Sequence, residues 1–155
     1  LVGSEMCIRD RFDTAGEIRD GYLYISREWG SDDQVELHFP LPVRKIYAST
    51  HVREDVGCVA LMRGPVVYCF EGADNGANLQ ALAVKKELDA KPLACTEGKL
   101  SGLTLLDVAG IRLVPSEELY TEEPPKEEAV MLRAIPYFAW GNRGLNQMRV
   151  WMHEK

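Results

Sequence analysis

Glu71 and Asp74 stand three positions apart, directly after an apolar run, and paired carboxylates are the raw material of general acid–base chemistry. The chain holds 24 acidic residues, however, so such pairs arise without purpose. Asp74-Asn75-Gly76 also has the composition of an ordinary turn, and turn chemistry is the plainer reading. Tyr137, Trp140, Asn142 and Arg143 form a second constellation. Aromatic faces pack against the C–H groups of a sugar while amide and guanidinium groups bond its hydroxyls, which makes these four the candidate carbohydrate contacts. Tyr and Trp at the end of a strand also close cores, the competing reading, and Trp29 carries the same ambiguity. Arg63, beside a Gly-Pro break, reads as a buried charge bonding loop carbonyls, a structural use.

Other chemistries find less support. His38, His51 and His153 are isolated, with no HExxH and no i, i+4 pair, so no metal site is expected. There is no GxSxG elbow and no phosphate-cradling glycine loop. Cys7, Cys58, Cys69 and Cys95 are separated by 51, 11 and 26 positions, which matches no zinc pattern. Cys58 and Cys69 lie in apolar runs, where a thiol behaves as a small hydrophobe. Reduced, buried thiols favour a reducing compartment, cytoplasmic over periplasmic. The net charge of −6 argues against nucleic acid, which needs clustered Lys and Arg, and against an anionic membrane surface. No apolar stretch has the length of a bilayer span.

The elements that position these residues centre on Gly57–Asn75, GCVALMRGPVVYCFEGADN. Val59–Met62 and Val66–Phe70 are apolar at every position, which predicts two short strands buried on both faces. Pro65 breaks the ladder between them. Upstream, Gly21–Arg27 and Gln34–Phe39 alternate, and they read as an antiparallel hairpin. Val43–Ala48 is a further short strand, and Ser49–Val56 the best boundary. Downstream, residues 79–88 are ambiguous between helix and strand. Leu93–Thr96, Leu103–Val114, Ala129–Ile135 and Gln147–Met152 predict strands, with Gly110 marking a bulge or bend. Ser116–Glu128, rich in glutamate and broken by Pro124-Pro125, predicts a solvated loop. Many short strands separated by Gly and Pro are the sandwich signature. The expected fold is all-β, an antiparallel, jelly-roll-like β-sandwich, as the end of one sandwich (12–50) followed by a second (51–155). The chain opens without Met, and its first eleven residues, LVGSEMCIRDR, resemble translated adapter sequence. Residues 1–11 are therefore expected to lie outside the fold.

Three blocks in order carry a resemblance: Gly21–Ile25 with Trp29, then VALMRGPVVYCFEGADN, then IPYFAWGNRG leading to Met148-Arg149-Val150-Trp151. From residue 12 to the end, the chain resembles the C-terminal region of glycoside hydrolase family 127, the bacterial β-L-arabinofuranosidases. The resemblance implies a parent enzyme that releases terminal β-L-arabinofuranose from plant glycans. It implies a zinc-bound cysteine nucleophile, supported by glutamates, in an (α/α)6 barrel upstream. Cys58, Cys69 and Cys95 lack the family's Glu-x-Cys and Cys-Cys patterns, so no catalytic or zinc residue and no cofactor is assigned to this chain. The expected partners are the parent's own catalytic barrel, arabinose-containing glycans and a second copy in a homodimer. The alternative is an independent carbohydrate-binding module.

Overall fold

The computed structural model describes residues 5–8 and 17–155. It divides into two compact units, Leu1–Leu41 and Pro42–Lys155. In unit 1, β1 (Glu5–Ile8) pairs antiparallel with β4 (Val35–His38), and β2 (Glu17–Arg19) with β3 (Tyr22–Tyr24). The hairpin expected between Gly21–Arg27 and Gln34–Phe39 is therefore not formed. The reason lies in Asp20-Gly21, whose φ values of 51° and 82° make the two-residue turn that folds β3 back onto β2. The expectation of a non-native segment at 1–11 falls mainly outside the described residues, and within it Glu5–Ile8 forms β1.

Unit 2 holds β5 (Val43–Tyr47), β6 (Cys58–Arg63), β7 (Val66–Glu71), β8 (Leu82–Val84), β9 (Ala90–Ala94), β10 (Thr104–Leu113), β11 (Glu127–Pro136), β12 (Met148–Arg149) and β13 (Met152–Glu154). These nine strands form one sheet, and the one α-helical turn among them is α1 (Gly72–Asn75), beside several 3-10 turns. Because β5 pairs with Cys58's strand, at Val43↔Arg63 through Tyr47↔Val59, it belongs to the second unit. The division between the two compact units falls at 41/42. Residues 79–88 split into a 3-10 turn (Leu79–Ala81) and β8.

The sheet closes on itself along β6–β7–β11–β10–β8–β13 and back to β6. Closure depends on strands that share an edge between two neighbours. The edge of β6 left free by β5 takes β13 at Cys58 and Val59, then β7 at Leu61–Arg63. Likewise one edge of β10 takes β9 along Thr104–Val108 and β8 along Gly110–Arg112. Such corners let a sheet fold into two facing layers, and the result is the expected all-β sandwich. All pairings are antiparallel except β13 with β8.

Period-2 alternation assigns the two faces of each strand. Val59 and Leu61 of β6, Tyr68 and Phe70 of β7, Leu106 and Val108 of β10, and Leu132 and Ala134 of β11 all meet in one enclosed core. The alternate residues Cys69, Leu105 and Ile135 face outward, into a second core completed by Leu100 and Ala139. That double use explains why Val66–Phe70 is apolar at every position. Gly110 marks no bulge: it pairs in register with Val130 on one side and Val84 on the other. A Cβ there would lie 2.5 Å from Leu132 Cδ1 and 2.8 Å from the Ala83 carbonyl, so glycine is required by close approach.

Candidate functional site

The two constellations read from the sequence meet in one place. Glu71 ends β7 on its outward face, beside Cys69, and is fully buried. A buried carboxylate is costly unless it is paired and hydrogen-bonded, and here it is both. The Gly141 amide donates to Glu71 Oε1 at 2.8 Å, and Arg143 donates to Oε2 through Nε at 3.0 Å and Nη2 at 2.5 Å. The same guanidinium donates to Asp74 Oδ1 through Nη1 at 2.7 Å and to Oδ2 through Nη2 at 2.5 Å. Bonding to Asp74, with Glu71 adding to it, raises the Arg143 pKa further above its ordinary value, against the effect of burial.

Backbone contacts complete the clamp. The Gly72 amide donates to the Gln147 carbonyl at 2.8 Å, and the Ala73 amide to Asn146 Oδ1 at 3.3 Å. Asn75, buried in α1, donates from Nδ2 to the carbonyls of Glu71 and Arg133, both at 2.9 Å, and accepts from the Arg133 amide at 2.8 Å. Sequence reasoning missed Asn75, because nothing local distinguishes a turn asparagine from one that ties a turn to a strand 58 positions away. Glu71 and Asp74 are thus anchors for the 141–147 segment. Both carboxylates are engaged by one cation, so neither is free to serve as an acid–base pair.

Arg143, in turn, has four hydrogen bonds to carboxylate oxygens, of the five donors a guanidinium offers. The Asn142 side chain donates to the Ala139 carbonyl at 3.0 Å, and Lys99 donates to the Asn142 carbonyl at 2.8 Å. Tyr137 opens a 3-10 turn, Tyr137–Ala139, and Trp140 directly follows it. Three residues per turn eclipse positions i and i+3, which sets their rings side by side, 6.5 Å apart between centroids and inclined by 32°. Ala139 points inward to the second core, while Tyr137 and Trp140 are each a little under half exposed. Phe138, not singled out from the sequence, is 68% exposed, more than either. Its signal was present in the Tyr-Phe-Ala-Trp run, where one small residue implies that a single side of the turn faces the core.

The remaining candidates stay apart. Trp29 lies in unit 1 with the Arg27 guanidinium 5.4 Å from its ring centroid. His51 contacts Ser49, and His153 contacts Cys58, while the side chain of His38 lies outside the described residues. Among the described residues Arg63 bonds no loop carbonyl. Its Nε is buried without a hydrogen-bond partner, and the Gly64 carbonyl beside it accepts from Arg44 at 3.3 Å instead. Among the described residues no three of His, Cys, Asp and Glu converge as a metal site. Cys58, Cys69 and Cys95 are unbridged. Burial, reinforced by the charge of Glu71, pushes the Cys69 thiol up to about 12, the opposite of what a zinc-bound thiolate needs. Among the described residues no helix is long and apolar enough to cross a membrane.

Comparison with known proteins gives consistent matches. The family model described as the glycoside hydrolase family 127 C-terminal domain matches residues 43–153. A non-reducing end β-L-arabinofuranosidase of Bifidobacterium longum subsp. longum is 32% identical over 142 residues, which is 87% of this chain and 22% of that protein. A crystal structure of a GH127 β-L-arabinofuranosidase from Geobacillus stearothermophilus T6 matches with a TM-score of 0.83 at 40% identity, over 99% of this chain and 25% of that one. A second solved GH127 β-arabinofuranosidase matches with a TM-score of 0.84 at 30% identity, over 99% of this chain and 23% of that one. The chain thus spans about a quarter of the length of these relatives.

Proposed function

Because this chain belongs to glycoside hydrolase family 127 and carries that family's C-terminal domain, we propose that it is the non-catalytic support of a β-L-arabinofuranosidase-type enzyme. The domain belongs to a larger protein with a catalytic part. In this reading that part holds the zinc and cleaves terminal β-L-arabinofuranosides, while the present residues brace it. One observation carries the reading. The exposed rings of Tyr137, Phe138 and Trp140 stand on a segment fixed by the Arg143–Glu71 clamp, while the polar groups beside them are committed to their own fold. A sugar site needs a few free, convergent polar groups as well as an aromatic face. A rigid, mostly apolar ridge beside committed amide and guanidinium groups suits packing against protein.

The test compares Trp140 in two settings. In the 155-residue chain its indole should be oxidised readily in hydroxyl-radical footprinting read by peptide mass spectrometry, and in the full-length protein it should be shielded. Equal oxidation in both would remove the support. The second reading, an independent sugar-binding module, draws on the paired Tyr137 and Trp140 rings. It requires heat on titrating the chain with arabinan-type oligosaccharides and loss of that heat in Trp140→Ala.

A further inference from the structure

Arg63 is the one position among the described residues where a buried side-chain nitrogen has no hydrogen-bond partner in the protein. Its placement follows from strand period. Val59 and Leu61 point into the enclosed core, so Arg63, next on that face, stands at the mouth of the closed sheet. Val43 and Val66, its register partners on either side, both pack against the core. The Tyr68 hydroxyl, which donates to the Thr104 carbonyl at 2.9 Å, faces the Arg63 guanidinium as an uncharged hydrogen-bonding neighbour, and the Arg63 Nε remains without a partner. No carboxylate among the described residues pairs with Arg63. Elsewhere the domain answers a part-buried guanidinium with a carboxylate, as in Arg133–Asp107 and Arg143–Glu71.

We propose that Arg63 is a docking cation that receives a carboxylate side chain from the catalytic part of the protein invoked above. The chemistry selects the partner: a guanidinium edge presents two parallel N–H groups, which a carboxylate matches bidentately. Position selects its source. Val43 lies directly across from Arg63, at the mouth of the closed sheet. Tyr137, the first ring of the exposed ridge, follows Pro136, which is registered against Tyr68 and so leaves the sheet at this same end. In the relatives about three-quarters of the protein lies outside the matched region. The inference rests on the scaffold reading above and adds the specific contact.

The experiment is Arg63→Met made in the 155-residue chain and in the full-length protein. In the chain alone the thermal midpoint should stay level or rise, since an unanswered buried donor is removed. In the full-length protein it should fall by several degrees, with Arg63→Lys recovering part of the loss. A fall of equal size in both settings would mean that Arg63 is satisfied within its own domain, and no change in the full-length protein would mean that water satisfies it. Either result overturns the proposal. Sulfate supplies a check that needs no second domain: beyond the general stabilisation it gives any folded protein, it should raise the midpoint of the wild-type chain by more than that of Arg63→Met, and equal effects on both would count against the proposal. The outcomes separate the two readings. A silent Arg63→Met with Trp140 shielded in the full-length protein sinks the carboxylate contact alone, whereas an unshielded Trp140 sinks the scaffold reading.

Discussion

The Arg143 guanidinium closes on Glu71, a carboxylate with no solvent exposure, 72 positions earlier in the chain. This pair, with Asp74 on its open side, ties the segment after β11 to the end of β7. Removing the cation would leave a buried charge unanswered. Arg143→Met is expected to destabilise the domain by about 3–5 kcal/mol. Glu71→Gln should cost less, because Arg143 keeps Asp74. In urea denaturation the double variant should be less destabilised than the two single costs added together; strict additivity would deny the coupling.

Gly110 supplies a second test, of packing. Gly110→Ala pushes a Cβ against Leu132 and against the Ala83 carbonyl, a backbone atom that cannot step aside. A loss of about 1–3 kcal/mol is expected, and Leu132→Ala in the same chain should relieve only part of the strain. Gly57→Ala meets open space and should lose about 1–2 kcal/mol, from its φ of 77° alone. Chemical denaturation of the three variants distinguishes crowding from backbone strain.

The C-terminal strand makes stability depend on pH. Glu154 accepts from Lys45 Nζ at 2.7 Å and from the Tyr47 hydroxyl at 2.8 Å. These bonds, Lys45's first, hold its carboxyl below the ordinary value of 4.5. A depressed folded value means that the contribution is complete above 4.5 and is lost as pH falls through the folded value. The bond to Glu154 also raises the Tyr47 phenol above 10.0. That contribution is present below 10.0 and is lost as pH climbs through the raised value. Thermal melts should show wild type above Glu154→Gln near neutrality, with the two converging in acid. A gap that persisted in strong acid would place the effect elsewhere.

Thiol reactivity should follow burial. Cys69 is fully buried, with its thiol pushed up to about 12, while Cys95 is only half-buried. Since the thiolate is the nucleophile, iodoacetamide at mildly alkaline pH should modify Cys95 readily and leave Cys69 untouched until urea unfolds the domain. Peptide mapping by mass spectrometry would read this directly. Early labelling of Cys69 would show that the second core opens in the native state.

Much of the architecture could be read along the chain. The uninterrupted apolar run of Val66–Phe70 announced a strand covered on both faces, and the structure gives it two cores to cover. The upstream hairpin is not legible in this way because alternation reports faces and not partners: Tyr22–Tyr24 finds its neighbour through the Asp20-Gly21 turn. Gly110 reads as an irregularity because a sequence does not display the side chain opposite it. Glu71 and Arg143 each read, separately, as chemistry, and only their meeting in space makes both structure.

The sequence by itself determined the all-β class and the positions of most strands, because period and turn composition are local properties written every few residues. It also carried the family resemblance, in three ordered blocks. Which strands share an edge, where the sheet closes, and which charges answer one another were decided by tertiary structure alone. Those relations join residues tens of positions apart, and the free energy of a buried charge is fixed by what surrounds it in space, not by its neighbours along the chain.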